Sequence, residues 1–296
     1  MQDPLFIIAP PRSYTSVIGG MIGQHPQVYG LPEVNLSHGD TLGEMWNTVS
    51  NAMNFGTAGL LRLLAQLHEE VQTDESVTRA RQWIMRRSHW SGRKVFDHIQ
   101  EAVGPRMLVD KSPRNTMRIE SLHRLLQMFP GASFLHLTRH PRTTGNSTLE
   151  LLKAYGKGDP LNRRPEFDPE QTWLRSQSHI MEFSRDLAVG QYMRIKGEVL
   201  LQNPKLYLPQ ICDWLGLSSD AASITAMLHP ETSAYACIGP ASAPFGNDPN
   251  FLNHPSLDFD RLARIREASL EGEIDWRPGE MFSRPVVKLA RQFGYA

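Results

Sequence analysis

Residues 5–9 read LFIIA, an uninterrupted apolar run too short for a helix, and the loop PPRSYT follows at once. A continuous run of that length suits a strand buried on both faces, the condition of a parallel sheet. SVIGGMIGQ then reads as a short helix. The same alternation returns downstream. MLVD at 107–110 and SFLHLTR at 133–139 read as strands. Between them, TMRIESLHRLLQMF carries Met117, Leu122, Leu125, Leu126 and Phe129 at helical spacing. A helix from 141 to about Ala154 follows, and residues 171–189 read as helical. QYMRIK at 191–196 reads as one more strand, and the helix from 205 ends at LGL with Gly216 as its cap. This order predicts an α/β fold, a parallel β-sheet flanked by helices.

The stretch from His38 to about Gln100 breaks the alternation. It holds Trp46, Trp83 and Trp90, several amphipathic segments and no convincing strand, so it reads as a helical insertion. Helical material inserted there is expected to overhang the ligand edge of the sheet and shape an acceptor pocket, although each tryptophan is more often a packing residue. Gly156–Pro169 reads as a loop, as does the breaker-rich segment 240–255. FSRPVVKLARQFGYA closes the chain with an apolar helical stripe that suits packing. The expected organisation is a single domain over residues 1–296, with the insertion at about 38–100 and a C-terminal loop and helix region at about 229–296.

Lysine and arginine balance aspartate and glutamate, 31 against 31, which argues against a general nucleic-acid binder. Two cysteines, Cys212 and Cys237, make neither a disulfide framework nor a zinc site, and Cys212 lies in an apolar run that suits a buried thiol. Met1 leads straight into a strand-like run without a signal-peptide pattern, and no apolar run approaches the roughly 18 residues of a membrane span. The expected compartment is the cytoplasm.

Four constellations carry chemistry. In APPRSYTS at 9–16, a helix N-terminus offers free N–H groups and the positive end of its dipole. Arg12 adds a charged fork, and Ser13, Thr15 and Ser16 add hydroxyls, a set suited to a phosphate or phosphosulfate. It is not a Walker A loop, because G-x-x-x-x-G-K-[ST] is absent. In LTRHPRTTGNS at 137–147, Arg139 ends a strand and Ser147 lies eight residues on, so both can meet one phosphate at the C-terminal edge of the sheet. Lys111, in VDKSP, follows another strand and can neutralise charge on a transferring group. Glu33, in HPQVYGLPE, follows a short strand-like segment and can act as a general base. Each has a plainer reading on its own: a capped turn, a surface ion pair, a solvated lysine, a helix-cap glutamate.

Together and in this order, the four resemble the PAPS-dependent sulfotransferases, in particular the branch of bacterial and tyrosylprotein sulfotransferases. The P-R-S-G-T-T-like loop stands here as Pro11-Arg12-Ser13-Tyr14-Thr15-Ser16, and H-P-x-V-x-G-x-E as His25 to Glu33. The K-x-P element stands as Lys111-Ser112-Pro113, and the arginine-plus-serine motif as Arg139 and Ser147. Gly197-Glu198 through Pro204, then Asp213-Trp214-Leu215-Gly216, approximate a later element, so the likeness spans roughly residues 5 to 216. Three positions depart from the pattern: the loop glycine is Tyr14, the glycine that often precedes the loop is Ala9, and the tyrosine of a Y-E pair is Gly197, which removes one expected nucleotide contact.

The resemblance implies a P-loop-like nucleotide-binding fold. It implies Arg12, Ser13, Tyr14, Thr15 and Ser16 on the 5′-phosphosulfate of PAPS, and Arg139 and Ser147 on its 3′-phosphate. Arg12 and Lys111 would stabilise charge, Glu33 would be the base, adenosine 3′,5′-bisphosphate the product, and no metal would be needed. Many cytosolic sulfotransferases use a histidine as base, which keeps His38, His136 and His140 in reserve; His136 alternates with apolar residues and suits packing. The acceptor, small or carrier-bound, is not legible. A P-loop small-molecule kinase, with Asp110 as its metal carboxylate, and a non-catalytic binder of 3′-phosphoadenosine nucleotides are the rival readings.

Overall fold

The computed structural model describes residues 2–50, 56–154, 168–265 and 268–296. A five-stranded parallel sheet runs β1 (Leu5–Ile8), β2 (Val28–Gly30), β3 (Met107–Asp110), β4 (Ser133–Thr138) and β5 (Tyr192–Lys196) in chain order. Across the sheet the order is β2-β3-β1-β4-β5. Leu5 and Ile8 of β1 pair with Ser133 and His136 of β4, and Leu5 also pairs with Val109 of β3.

The central strand β1 is apolar throughout because both of its faces are covered. On one face Phe6, Ile8, Leu108 and Phe134 join the core of the insertion, where Phe6 stacks on Phe134 with centroids 5.6 Å apart. On the other face Leu5, Ile7, Val109, Leu135 and Leu137 pack with α1 (Thr15–Ile22) and with the helix Pro204–Leu215. The insertion is built of α2 (Leu42–Val49), α3 (Ala58–Glu69), α4 (Asp74–Arg86) and α5 (Gly92–Val103), with no strand among its described residues. Thr41 and Thr73 close capping boxes at the starts of α2 and α4.

The helix expected over 116–129 is two elements. A 3-10 turn at Pro113–Met117 and α6 (Ile119–Met128) are separated by Arg118 in an extended conformation, φ −137° and ψ 126°. The Thr116 hydroxyl donates to the Ala9 and Pro113 carbonyls, which ties the turn to the end of β1 rather than to α6. α7 (Pro141–Ala154) follows β4, and α8 (Pro169–Phe183) is shorter than the expected 171–189 span, ending in a 3-10 turn. The loop expected at 156–169 lies outside the described residues except for its end. The helix Gly197–Gln202 follows β5, and Pro204–Leu215 ends where Gly216 takes φ 67°. The breaker-rich loop carries a short helix of its own, Pro249–Asn253, capped by the Asp248 side chain. Residues 270–295 form a third core with Trp173 of α8, through Trp276, Val286 and Phe293.

Candidate active site

β1 and β4 are neighbours, and the chain leaves their C-terminal ends in opposite directions across the sheet. That arrangement opens a crevice at the strand ends, where open α/β sheets bind ligands. A cleft of about 860 Å³ lies there, lined by Arg12, Tyr14, Ser16, Arg139, Ser147 and Asp248 among others.

The loop between β1 and α1 is held in an unusual backbone path. Arg12 has φ 69° and Tyr14 has φ 63°, both left-handed and both non-glycine. Such conformations cost roughly 1–3 kcal/mol each and persist only where surrounding contacts impose them. The Arg12 guanidinium donates to Ser147 Oγ from Nε at 3.2 Å and from Nη2 at 3.1 Å, and its Nη1 pairs with the Asp248 carboxylate. Arg139, at the end of β4, donates from Nη1 to the Arg12 carbonyl at 2.6 Å and from Nε to Thr143 Oγ1 at 3.1 Å. Arg12, Arg139 and Ser147 are therefore brought together. Ser13 is fully buried, and its Oγ has no partner among the described residues, which leaves a hydroxyl free for an anion in the loop.

Ser16 links this set to a second one. Its Oγ accepts from Lys111 Nζ at 2.9 Å and from the Asp248 N–H at 3.0 Å. Lys111 also donates to Glu33 Oε1 at 3.2 Å; its side chain is 3% exposed, that of Glu33 23%. The Lys111 stem lies against Gly19 of α1, where an added Cβ would come within 2.8 Å of Lys111 Cγ. Glu33 and Lys111 are positioned from adjacent strands, β2 and β3, and a hydrogen-bonded lattice ties their loops together. The Asn35 N–H donates to Ser112 Oγ at 3.1 Å, and Ser112 Oγ donates to Asp110 at 2.7 Å. Burial pushes the Asp110 carboxyl up to about 6, against its bond from Ser112 and the nearby Lys111 charge.

Among the described residues, none of the three histidine side chains bonds to Arg12, Arg139, Lys111 or Glu33. His136 is fully buried, with Nδ1 2.6 Å from the Tyr192 hydroxyl and Nε2 2.6 Å from Gln177 Oε1, and burial lowers it to about 3. His140 packs edge-on against Tyr295 and is lowered to about 4 by burial and then by Arg142. His38 is also lowered to about 4, by burial and then by Arg114; its Nε2 has no partner among the described residues.

Sequence reasoning missed Asp248 and named Glu198 without giving it a role. Asp248 belongs to the breaker-rich loop, and its only local signal is an Asp-Pro step that opens a helix. Nothing local connects it to Arg12, 236 residues away. Glu198 is buried behind β4, accepting from the His140 N–H at 2.9 Å and from the Tyr295 hydroxyl at 3.0 Å. Tyr295 also meets Thr138 Oγ1 at 3.1 Å, so the C-terminal segment buttresses the strand that ends in Arg139. The two departures noted at Tyr14 and Gly197 meet in space: a Cβ on Gly197 would lie 2.6 Å from Tyr14 Cδ2. Among the described residues, no group of three or more His, Cys, Asp or Glu side chains is arranged to hold a metal ion.

Comparison with known proteins finds the same fold in sulfotransferases. The sulfotransferase domain from the curacin biosynthetic pathway superposes with a TM-score of 0.77 at 24% identity, covering 100% of this chain and 99% of that one. The sulfotransferase domain of the Synechococcus PCC 7002 olefin synthase gives 0.75 at 25% identity, covering 100% and 97%. A sulfotransferase from Alicyclobacillus acidocaldarius gives 0.50 at 15% identity, covering 88% and 93%. No curated protein matches the chain by sequence. The model of the sulfotransferase family matches residues 4–221, a stretch that runs from β1 past Arg12 and Arg139 of the cleft, and on that match the chain belongs to the sulfotransferase family.

Proposed function

We propose that this sulfotransferase moves the sulfuryl group of PAPS onto a hydroxyl or amine of a small-molecule or carrier-bound acceptor and releases adenosine 3′,5′-bisphosphate. The observation that carries the reading is the meeting of two charged sets at Ser16: Arg12, Arg139 and Ser147 on the cleft side, Lys111 and Glu33 on the other. An anion that reaches from one set to the other passes the N-terminus of α1. There Arg12, Ser13, Tyr14, Thr15 and Ser16 hold the 5′-phosphosulfate, while Arg139 and Ser147 hold the 3′-phosphate.

The acceptor oxygen or nitrogen attacks sulfur in line as the bond from sulfur to the bridging oxygen of the 5′-phosphate breaks. Glu33 takes the acceptor's proton. Lys111 and Arg12 stabilise the negative charge that grows on the bridging oxygen. Because the sulfuryl group is already activated, positioning and charge stabilisation supply the catalysis. The similarity to domains named for a biosynthetic pathway and an olefin synthase supports a biosynthetic intermediate as acceptor. The free thiols of Cys212 and Cys237 suit a reducing compartment, and no helix among the described residues is long and apolar enough to cross a membrane, so the reading takes the cytoplasm as its compartment. A kinase is disfavoured, since Asp110, its candidate metal carboxylate, is buried and already bonded to Ser112.

Calorimetric titration with adenosine 3′,5′-bisphosphate, against ATP with magnesium, tests the reading. Micromolar binding of the bisphosphate and weak binding of ATP are expected, and R139A should weaken the bisphosphate much more than adenosine 5′-phosphosulfate. Binding of ATP alone would sink the assignment.

A further inference from the structure

Tyr14 combines three features that a loop residue seldom shows together. Its backbone is left-handed, at φ 63° and ψ 11°, a region that disfavours a bulky side chain. Its ring lies on Gly197, so closely that any side chain at position 197 would collide with it. Its other neighbour is the Arg139 guanidinium, 4.2 Å from the ring centroid. Burial raises the phenol above its usual value even against the Arg139 charge, so the ring faces the cation as a neutral aromatic.

Arg139 is thereby fixed from three directions. The Arg12 carbonyl takes one N–H of Nη1, Thr143 takes the Nε N–H, and the Tyr14 ring lies against the guanidinium. A guanidinium has five N–H groups, so three remain for a phosphate. Their direction is set before the ligand arrives, and a preorganised fork binds more tightly than one that must be ordered on binding. The carbonyl and the hydroxyl engage Nη1 and Nε, and the ring adds a third contact, 4.2 Å from the guanidinium carbon to its centroid.

We propose that Tyr14 is a positioning residue for nucleotide recognition: its ring, seated on Gly197, orients Arg139 and so sets the preference for a nucleotide bearing a 3′-phosphate. The inference rests on the reading of Arg139 as the 3′-phosphate ligand. Gly197 takes part by having no side chain, and the pair works as a unit.

The test is the ratio of affinities for adenosine 3′,5′-bisphosphate and adenosine 5′-monophosphate, measured by calorimetry. Leucine at position 14 keeps the backbone strain and the bulk over Gly197 but has no π-face, so Y14L should lower the ratio by roughly tenfold, weakening the bisphosphate more than the monophosphate. Y14F should keep the wild-type ratio. G197A pushes on the same ring from behind and should lower the ratio as Y14L does, while Y14L/G197A should be no worse than Y14L alone. Equal losses for both nucleotides in Y14L would make the residue merely structural, and an unchanged ratio in both Y14L and G197A would overturn the inference alone. A wild-type protein with no preference for the bisphosphate would overturn this inference and the 3′-phosphate reading together.

Discussion

On the proposed reading, Asp248 occupies the ground that an incoming phosphate would need. Its carboxylate pairs with Arg12 Nη1, and its N–H donates to Ser16 Oγ. A phosphate oxygen that takes Arg12 must part this pair, and it then faces the carboxylate at a separation taken as about 5 Å. Two unit charges at that separation repel by about 1 kcal/mol in bulk water and about 3 kcal/mol at the effective dielectric of a protein surface. The Asp248 side chain is 23% exposed, between those limits, so about 1–2 kcal/mol opposes the ligand, roughly a 5- to 30-fold factor in affinity. D248N removes the charge and keeps the cap of the helix Pro249–Asn253, because asparagine caps as well as aspartate. We therefore expect D248N to bind adenosine 3′,5′-bisphosphate roughly 5- to 30-fold more tightly in calorimetry at low salt, with a smaller gain at high salt. D248A loses the cap as well and should gain less. Weaker binding by D248N would refute the reasoning and would mean that the carboxylate holds Arg12 in the orientation the phosphate requires.

E33Q should keep nucleotide affinity and lose at least about a hundredfold in turnover, as expected for a general base; retained turnover would pass the role to a histidine such as His38. K111A should lower turnover more than nucleotide affinity, and an unchanged rate would remove Lys111 from the chemistry. His38, His136 and His140 are held neutral in the fold, with values lowered to about 4, 3 and 4 from 6.5, so their contribution is complete above pH 6.5 and is lost as pH falls. At pH 5 that removes up to about 2 kcal/mol for each histidine, whereas Asp110, raised to about 6, acts in the opposite sense over part of the same range. The melting temperature should fall between pH 7 and pH 5, and a rise would show that Asp110 outweighs the histidines. Burial lifts the Cys212 thiol to about 11 and leaves it inaccessible, so a disulfide reagent at pH 8 should modify Cys237 alone; rapid modification of two thiols in native protein would contradict the packing.

The sheet was legible because its inner strands are buried on both faces, which makes Leu5–Ile8 an unbroken apolar run and leaves Met107–Asp110 and Ser133–Thr138 mostly apolar. Arg12, Arg139 and Lys111 were legible for a related reason: each follows such a run, and a parallel sheet carries all strand ends to one edge. Periodicity misled at Met117, whose apolar phase matches α6 although the chain turns at Arg118 and commits Thr116 to β1. Tyr14 and Gly197 read as two separate losses, because each is judged against its neighbours in the chain, whereas the space that one fills is the space that the other leaves. Asp248 was illegible for the plainest reason: its charge is meaningful only beside Arg12, and no local pattern encodes a contact 236 residues long.

That separation has a consequence for the protein's biogenesis. β1 lies in the middle of the sheet, and its partners β3 and β4 are translated long after it. At roughly 5–20 residues per second, Asp248 follows Arg12 out of the ribosome only after some tens of seconds. Until Met107–Asp110 and Ser133–Thr138 have emerged, well before Asp248, LFII is an apolar segment with two open edges and no sheet to enter. Nascent chains stalled before β4 should therefore be the species that chaperones retain and proteases cut, and slow codons between β3 and β4 would lengthen exactly the period in which the most apolar strand of the protein is unprotected.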